Sequence, residues 1–460
     1  MAPNGGGVRI DSDQPINIVG AGLAGALLGV MLMRRGCGAL RLWDRRPDPR
    51  RARTERGRSI NLALAARGIA ALEQAGVMDR IRSLLIPMRG RMIHERSGGA
   101  TLQPYGQRED EVIYSVGRAA LNRVLIEEAA RHQDVTIRFD QTCLAADPAG
   151  NLLRFRNEIS GAEYQVELAP TIATDGAGSA VRTSLASAGQ LSVREEWLDH
   201  DYKELTIPPV EGRPALDPNA LHIWPRGGFM LIALPNTDDS FTATLFLART
   251  GPRSFEALSD SQAVLDFFLE EFADAVPLIP NLMAEFRAHP DGQLGTVHAA
   301  PWRIGGQVLL LGDAAHAIVP FHGQGMNSAF EDCLVLDSLL ERCEDWESLF
   351  AEFEHVRRPN AVAIAQMALE NYTEMRATVL DAGFVQRKNL ALELERRFPD
   401  RFIPRYAMVT FHPEIPYAEA LRRGAVQEQI LLELDRAGDT VDFALARKLI
   451  SERLPALAPT

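Results

Sequence analysis

Ile16-Asn17-Ile18-Val19-Gly20-Ala21-Gly22-Leu23-Ala24-Gly25 is the stretch that decides the fold. Four residues, 16 to 19, form a short apolar strand that runs into three closely spaced glycines. Leu27, Leu28, Met31 and Leu32 then recur at helical spacing until Gly36 stops the pattern. A second apolar strand, 40 to 43, ends on Asp44. Strand, turn, helix and strand make a βαβ unit, so a parallel sheet is expected. Gly20 permits the tight turn, Gly22 lets the backbone approach a pyrophosphate, and Gly25 allows the helix to pack closely on the strand. The phosphates then sit on the helix N-terminus. Asp44, 19 residues beyond Gly25, stands where a carboxylate accepts ribose hydroxyls. A bare Gly-x-Gly-x-x-Gly run is weak evidence, but both strands and the acidic end turn it into a dinucleotide site.

Two further signals separate FAD from NAD. Val308-Leu309-Leu310-Leu311-Gly312-Asp313-Ala314-Ala315-His316 is a buried strand ending in Gly-Asp, far downstream of the first motif. A ribityl chain needs an acceptor away from the pyrophosphate loop, and Asp313 supplies it. Pro320-Phe321-His322-Gly323-Gln324-Gly325-Met326-Asn327 opens another helix, whose backbone N–H groups suit the electron-rich edge of a flavin. His316 and His322 read as loop residues of this site. The third signal is Ala173-Thr174-Asp175-Gly176, with Ser179 and Arg182 beyond. Alone, Asp-Gly is a plain turn. With the other two motifs it resembles the Asp-Gly fingerprint of single-component flavin hydroxylases, which usually reads Gly-Ala-Asp-Gly.

The rest of the chain bounds the alternatives. The 460 residues, 46% hydrophobic, suffice for two or three domains, and a net charge of -12 argues against nucleic-acid binding. The cysteines, Cys37, Cys143, Cys333 and Cys343, include no Cys-x-x-Cys pair, so no metal site is expected. Neither a secretory signal nor a run of 18 apolar residues is present, which points to the cytoplasm. From 221 to 247 the pattern alternates, with turns at 225–228 and 236–240, as in an antiparallel meander. Beyond Trp346 the pattern is helical, and 421–454 reads as amphipathic surface helix.

A closer resemblance rests on Arg56 to Leu64, Met88 to Met92, Gln103 to Gly106, Leu221 to Pro225, Gly312 to Asn327, Glu370 to Tyr372 and Arg401 to Phe411. These segments resemble the kynurenine 3-monooxygenase family from about residue 16 to about residue 430. Eukaryotic members carry a membrane-anchoring tail; this chain is expected to be a soluble, bacterial-type form.

The resemblance implies an α/β hydroxylase-type flavoprotein: a Rossmann-like FAD-binding domain (1–85, 113–185 and 297–375), an antiparallel-sheet substrate domain (86–112 and 186–296), and a helical C-terminal region (376–460). It implies hydroxylation of L-kynurenine to 3-hydroxykynurenine in tryptophan catabolism, through a flavin C4a-hydroperoxide, with non-covalent FAD, transient NADPH and O2. Arg91 matches the family's carboxylate-binding arginine and Tyr105 its hydroxyl partner; Asn371 and Tyr406 match the polar residues at the amino-acid end. Met230, Ile232 and Leu234 alternate on one strand and share a face. With Phe246 and Phe321 they make the ring slot. The cofactor set comprises Gly20, Gly22, Leu23, Ala24, Gly25, Asp44, Ala63, Arg118, Asp175, Asp313, Met326 and Asn327. Arg45 and Arg46 are candidates for the NADPH phosphate, since only one dinucleotide fingerprint is present. An aniline ring is electron-rich when neutral, so no residue is expected to act as acid or base. A homodimer is compatible with the sequence. The rival readings are a hydroxylase of another small aromatic acid and a non-catalytic flavoprotein module.

Overall fold

The computed structural model describes residues 14–51, 61–378, 382–436 and 441–457. Arg56 to Ile60 of the family-like Arg56–Leu64 segment fall outside them. The chain divides into two compact units, one of residues 1–85, 116–197 and 295–361, the other of 86–115, 198–294 and 362–460. No helix among the described residues is long and apolar enough to cross a membrane.

The first unit is built on a six-stranded sheet. Strand Ile16–Val19 pairs in parallel with Leu40–Trp43 on one side and with Thr171–Ala173 on the other. Val135–Arg138 extends the sheet beyond Leu40–Trp43, and Val308–Leu310 extends it beyond Thr171–Ala173, both in parallel. Only the edge strand Arg303–Ile304 runs antiparallel. Helix Leu23–Arg34 is buried from Gly25 through Leu32, because it lies between helices Arg118–Ala129 and Gly325–Leu339. A helix covered on several sides carries apolar residues all round, not on one stripe. An antiparallel three-stranded ribbon, Gln141–Asp147, Leu152–Asn157 and Glu163–Glu167, completes the unit, with Phe155 stacked 4.9 Å from Trp43.

The second unit carries the expected meander. Leu221–Pro225, Met230–Pro235 and Phe241–Ala248 pair antiparallel, and residues up to Ile207 of strand Ser192–Ile207 pair with the last. On the other side Leu221–Pro225 pairs in parallel with Gly90–His94, which pairs antiparallel with Ala100–Pro104. One sheet face is apolar: Leu231, Ala233, Phe241, Ala243 and Leu245 pack on Phe267, Phe268, Phe272 and Phe286 of the helical segments that follow. A second core ties the C-terminal helices together, with Leu394, Phe402, Ile430, Leu434, Leu449 and Ile450 buried.

Within the sheet, His94 Nε2 lies 2.8 Å from His222 Nδ1, and His222 Nε2 lies 2.9 Å from the Asp217 carbonyl oxygen. That carbonyl only accepts, so His222 Nε2 donates and its Nδ1 takes the His94 proton. Burial pushes the His222 pKa down to about 4. An unfolded histidine titrates near pH 6.5, so between these values the unfolded chain binds the extra proton. The His222 contribution to stability is therefore complete above about pH 6.5 and lost as pH falls toward 4, by roughly 2–3 kcal/mol. Urea titrations across this range should show wild type losing stability with falling pH more steeply than His222→Gln, which should start less stable at pH 7.

Candidate functional site

The strands of the first unit's sheet, parallel but for one edge, end together. Val19 leads into Gly20, Trp43 into Asp44, Ala173 into Thr174 and Asp175, and Leu310 into Gly312 and Asp313. The crevice beyond such carboxyl ends is where open α/β sheets bind ligands. The three motifs meet there through named contacts. Thr174 Oγ1 donates to the Gly20 carbonyl at 2.6 Å. A Cβ on Gly25 would stand 1.9 Å from that same oxygen and 2.5 Å from Thr174 Oγ1. Gly20 has φ +103°, a conformation that favours glycine. Thr174, which with Ala173 departs from the usual fingerprint, thus closes the turn.

Asp175 Oδ2 accepts from the Ala180 N–H at 2.8 Å, at the start of helix Ala180–Ser187, while its buried Oδ1 has no hydrogen-bond partner among the described residues. Burial raises the Asp175 pKa. Arg182, almost fully buried, donates to the Ala314 carbonyl at 2.9 Å and so joins the third motif to the second. The Asp313 carboxylate is exposed and makes no hydrogen bond among the described residues. Behind it Asp332 Oδ2 accepts from the Gly312 N–H at 3.0 Å and from His316 Nε2 at 2.7 Å, and Oδ1 accepts from Arg357 Nε at 2.6 Å. Burial disfavours the Asp332 charge, but His316 and Arg357 outweigh it and hold the carboxyl below its usual range. His316 therefore ends a short helix, Asp313–His316, as a brace, where the sequence suggested a loop residue.

Asn327 is fully buried. Its Oδ1 accepts from the Ala65 N–H at 2.9 Å, and its Nδ2 donates to the Ala63 and Gly323 carbonyls, each at 2.8 Å. Leu23, Ala24 and Met326 are half-buried at the first turns of their helices, and Arg118 is exposed at the start of its own. Asp44 is held by Arg46, whose Nε and backbone N–H reach Oδ1 and whose Nη2 reaches Oδ2 at 2.8 Å. That Nη2 lies 3.6 Å from where a Gly22 Cβ would stand, so Arg46 overhangs the glycine turn. Arg45 is exposed.

This donor set fits FAD. Neither helix Leu23–Arg34 nor helix Gly325–Leu339 has a side chain capping its first N–H groups, which leaves them for anionic or electron-rich groups. Asp44 and Asp313 offer acceptors at two separate strand ends.

The second unit holds a different constellation. Cross-strand partners share a sheet face. Arg91 opposes Leu221, Ile93 opposes Ile223, Ile223 opposes Ile232, and Met230 opposes Phe246. Arg91 therefore shares one face with Met230, Ile232, Leu234 and Phe246, opposite the face packed on Phe267 and Phe268. The guanidinium is buried, 4.9 Å from the Tyr406 ring centre and 5.9 Å from that of Tyr105, and the two rings stack on each other at 5.7 Å. Arg91 Nη1 donates to Glu374 Oε1 at 3.1 Å, whereas its buried Nε has no acceptor among the described residues. Burial works against the Arg91 charge, but Tyr406, Glu374 and Tyr105 outweigh it and lift its pKa above the ordinary value. Burial pushes both tyrosines up, Tyr105 well above the usual value, so both stay neutral donors. Arg91 acts on the Tyr105 hydroxyl electrostatically, and that hydroxyl has no hydrogen-bond partner among the described residues.

Glu374 was not singled out from the sequence. It opens a π-helical turn, Glu374–Thr378, after helix Trp346–Thr373, and such turns recur at functional sites. Asn371, three residues earlier and buried, sits on the same helix face, with Nδ2 3.3 Å from Met375 Sδ. That spacing was the available signal. Phe321 belongs to the other unit, in the turn Pro320–His322.

Comparison with known proteins agrees. The family described as FAD binding domain matches residues 13–368. Kynurenine 3-monooxygenase of Stenotrophomonas maltophilia (strain K279a) is 46% identical over 450 residues, 97% of this chain and 98% of that protein. The enzyme of the same name from Xanthomonas campestris pv. campestris (strain 8004) is 45% identical over 451 residues, again 97% of this chain and 98% of that protein. Tetrameric 2-methyl-3-hydroxypyridine-5-carboxylic acid oxygenase shares the fold, with TM-score 0.64 at 19% identity, over 79% of this chain and 93% of that one. PqsL of P. aeruginosa does too, with TM-score 0.62 at 19% identity, over 79% and 97%. Fold and crevice thus define an FAD-dependent flavoprotein monooxygenase. Within that class, the chain belongs to the kynurenine 3-monooxygenase family.

Asp44→Ala should weaken FAD binding, since ribose hydroxyls lose a charged acceptor worth roughly 1.5–3 kcal/mol. Equilibrium titration of apoprotein by flavin fluorescence should show a Kd roughly ten- to 150-fold higher. An unchanged Kd would remove Asp44 from the site.

Proposed function

We propose that this protein hydroxylates L-kynurenine to 3-hydroxykynurenine in the cytoplasm, consuming NADPH and O2, with FAD as resident cofactor. The observation that carries the reading is Arg91: a buried guanidinium, flanked by two neutral phenols, on the same sheet face as an apolar strip. A small aromatic amino acid presents that pattern in reverse, one carboxylate and one ring.

FAD, held by Gly20, Gly22, Gly25, Asp44, Asp313 and the start of helix Gly325–Leu339, supplies hydride acceptance and oxygen activation when bound. Arg91 takes the substrate carboxylate, with Tyr105 and Tyr406 donating from the sides. Glu374 exchanges its Arg91 contact for the substrate ammonium, and Asn371 holds the same end. Met230, Ile232, Leu234 and Phe246 receive the ring and exclude water. No protein base is required, because the ring's amino group is electron-rich as the neutral aniline. Positioning and dryness are the protein's contribution. Arg46, placed over the glycine turn, and Arg45 are the candidates for the NADPH phosphate.

Mass spectrometry of the product formed from kynurenine, NADPH and air tests the reading directly; product of unchanged mass would defeat it. Stopped-flow reduction of the flavin by NADPH should be faster with kynurenine present than without.

Arg91→Ala should leave flavin content normal. Removing one partner of a desolvated charge pair costs about 2–5 kcal/mol, so kcat/KM should fall roughly 30-fold to several thousand-fold. Arg91→Lys should recover part of that, lacking the planar fork. Decarboxylated kynurenine should be a poor substrate for both proteins, with little difference between them. Equal loss for both substrates would show that Arg91 supports the fold instead.

A further inference from the structure

Helix Ala382–Arg397 carries a cation that the reading above leaves unused. Gln107 clasps this helix: its Nε2 donates to the Leu392 carbonyl at 2.9 Å and to Glu395 Oε2 at 2.6 Å, and its Oε1 accepts from Arg396 Nε. The helix face bearing Leu392 and Glu395 is therefore turned toward the segment that holds Tyr105, two residues before Gln107. Lys388 precedes Leu392 by four residues and Glu395 by seven, so it lies on that same face. It is half-buried, and no ion pair of it with a carboxylate is present among the described residues. On the same helix Arg387 pairs with Asp435 and Arg397 with Glu393, and on the Gln107 segment Arg108 pairs with Glu111. Two groups act on Lys388 electrostatically, Arg91 and Glu374. Among the described residues, Lys388 and Arg91 thus stand against the Glu374 carboxylate in largely buried surroundings, an imbalance that an incoming anion corrects.

We propose that Lys388 is the second cation of the carboxylate-binding cluster and a specificity-determining residue for anionic ligands. The inference rests on the kynurenine reading and adds to it a proton. Burial, with Arg91 adding to it and Glu374 opposing, pushes the Lys388 pKa down to about 8. A bound carboxylate moves it back toward the ordinary lysine value of about 10.4. Above pH 8 the empty site has lost a proton that the filled site keeps, so binding takes one up. Affinity then falls as pH rises through 8, by up to about tenfold per unit.

The test is binding of kynurenine and of its deaminated analogue, 4-(2-aminophenyl)-4-oxobutanoate, to FAD-loaded protein by calorimetry between pH 7 and 9.5. The analogue removes the ligand's own ammonium titration, and two buffers of different ionisation enthalpy count protons. Wild type should bind the analogue progressively more weakly above pH 8, with proton uptake at pH 8.5. Lys388→Gln should bind roughly ten- to a hundredfold more weakly at pH 7 and show a flat profile. Lys388→Arg should bind within a few-fold of wild type at pH 7, also with a flat profile and no uptake. A flat wild-type profile, or Lys388→Gln binding like wild type, overturns the assignment of Lys388 alone. Wild type binding neither ligand at any pH overturns the substrate reading and this inference together.

Discussion

A methyl group at Gly25 would stand 1.9 Å from the Gly20 carbonyl oxygen, closer than any side chain tolerates. That approach lets helix Leu23–Arg34 start directly above the end of strand Ile16–Val19. The Thr174 hydroxyl fills the remaining space and ties the neighbouring strand's end to the same carbonyl. Because the strands run in parallel, fixing these ends also fixes where Asp44, Asp175 and Asp313 emerge. The Asp332 carboxylate secures the Gly312 turn from behind, and its charge is tolerable only because His316 and Arg357 surround it. Removing one of them would strand a fully buried charge, a far larger penalty than losing an exposed pair.

The second unit poses the opposite electrostatic problem. Around Gly312 the charges are matched within the protein. Around Arg91 they are not: among the described residues, the buried guanidinium keeps one N–H without an acceptor, and its carboxylate partner is a single Glu374 oxygen. Two phenols supply partial compensation by their ring faces. Such incomplete satisfaction is costly in a core and useful in a site, because a ligand that completes it recovers what folding left unsatisfied.

Legibility in the sequence follows the range of the interactions. The glycine turn, the Gly-Asp strand end and the meander are local patterns, and their elements stand where alternation and turn residues put them: Ile16–Val19, Leu23–Arg34, Leu221–Pro225, Met230–Pro235. Sheet order is not local. Nothing near Thr174 announces that its hydroxyl meets a carbonyl 154 positions earlier in the chain. Arg91 carries no local mark either, and only family resemblance separated it from Arg89; its neighbours Tyr406 and Glu374 come from distant segments. Glu374 carries no local mark either: its three-residue spacing from Asn371 points to it only once Asn371 is singled out, and the π-helical turn that it opens is not announced by the sequence.

The division between the two constellations also explains where selectivity resides. An apolar slot discriminates poorly among rings of similar size, since a methylene or so is worth only about 1–3 kcal/mol. A buried cation that must be neutralised discriminates strongly, because a ligand without the anion leaves the charge desolvated and unpaired. On the proposed reading, the apolar strip of Met230, Ile232, Leu234 and Phe246 is therefore suited to orientation, and Arg91 with Glu374 to choice. The chemistry asks for this arrangement: a neutral aniline needs no proton removed, so no ionisable group has to stand beside the ring. Charge can be confined to the amino-acid end, away from the position where water must be excluded.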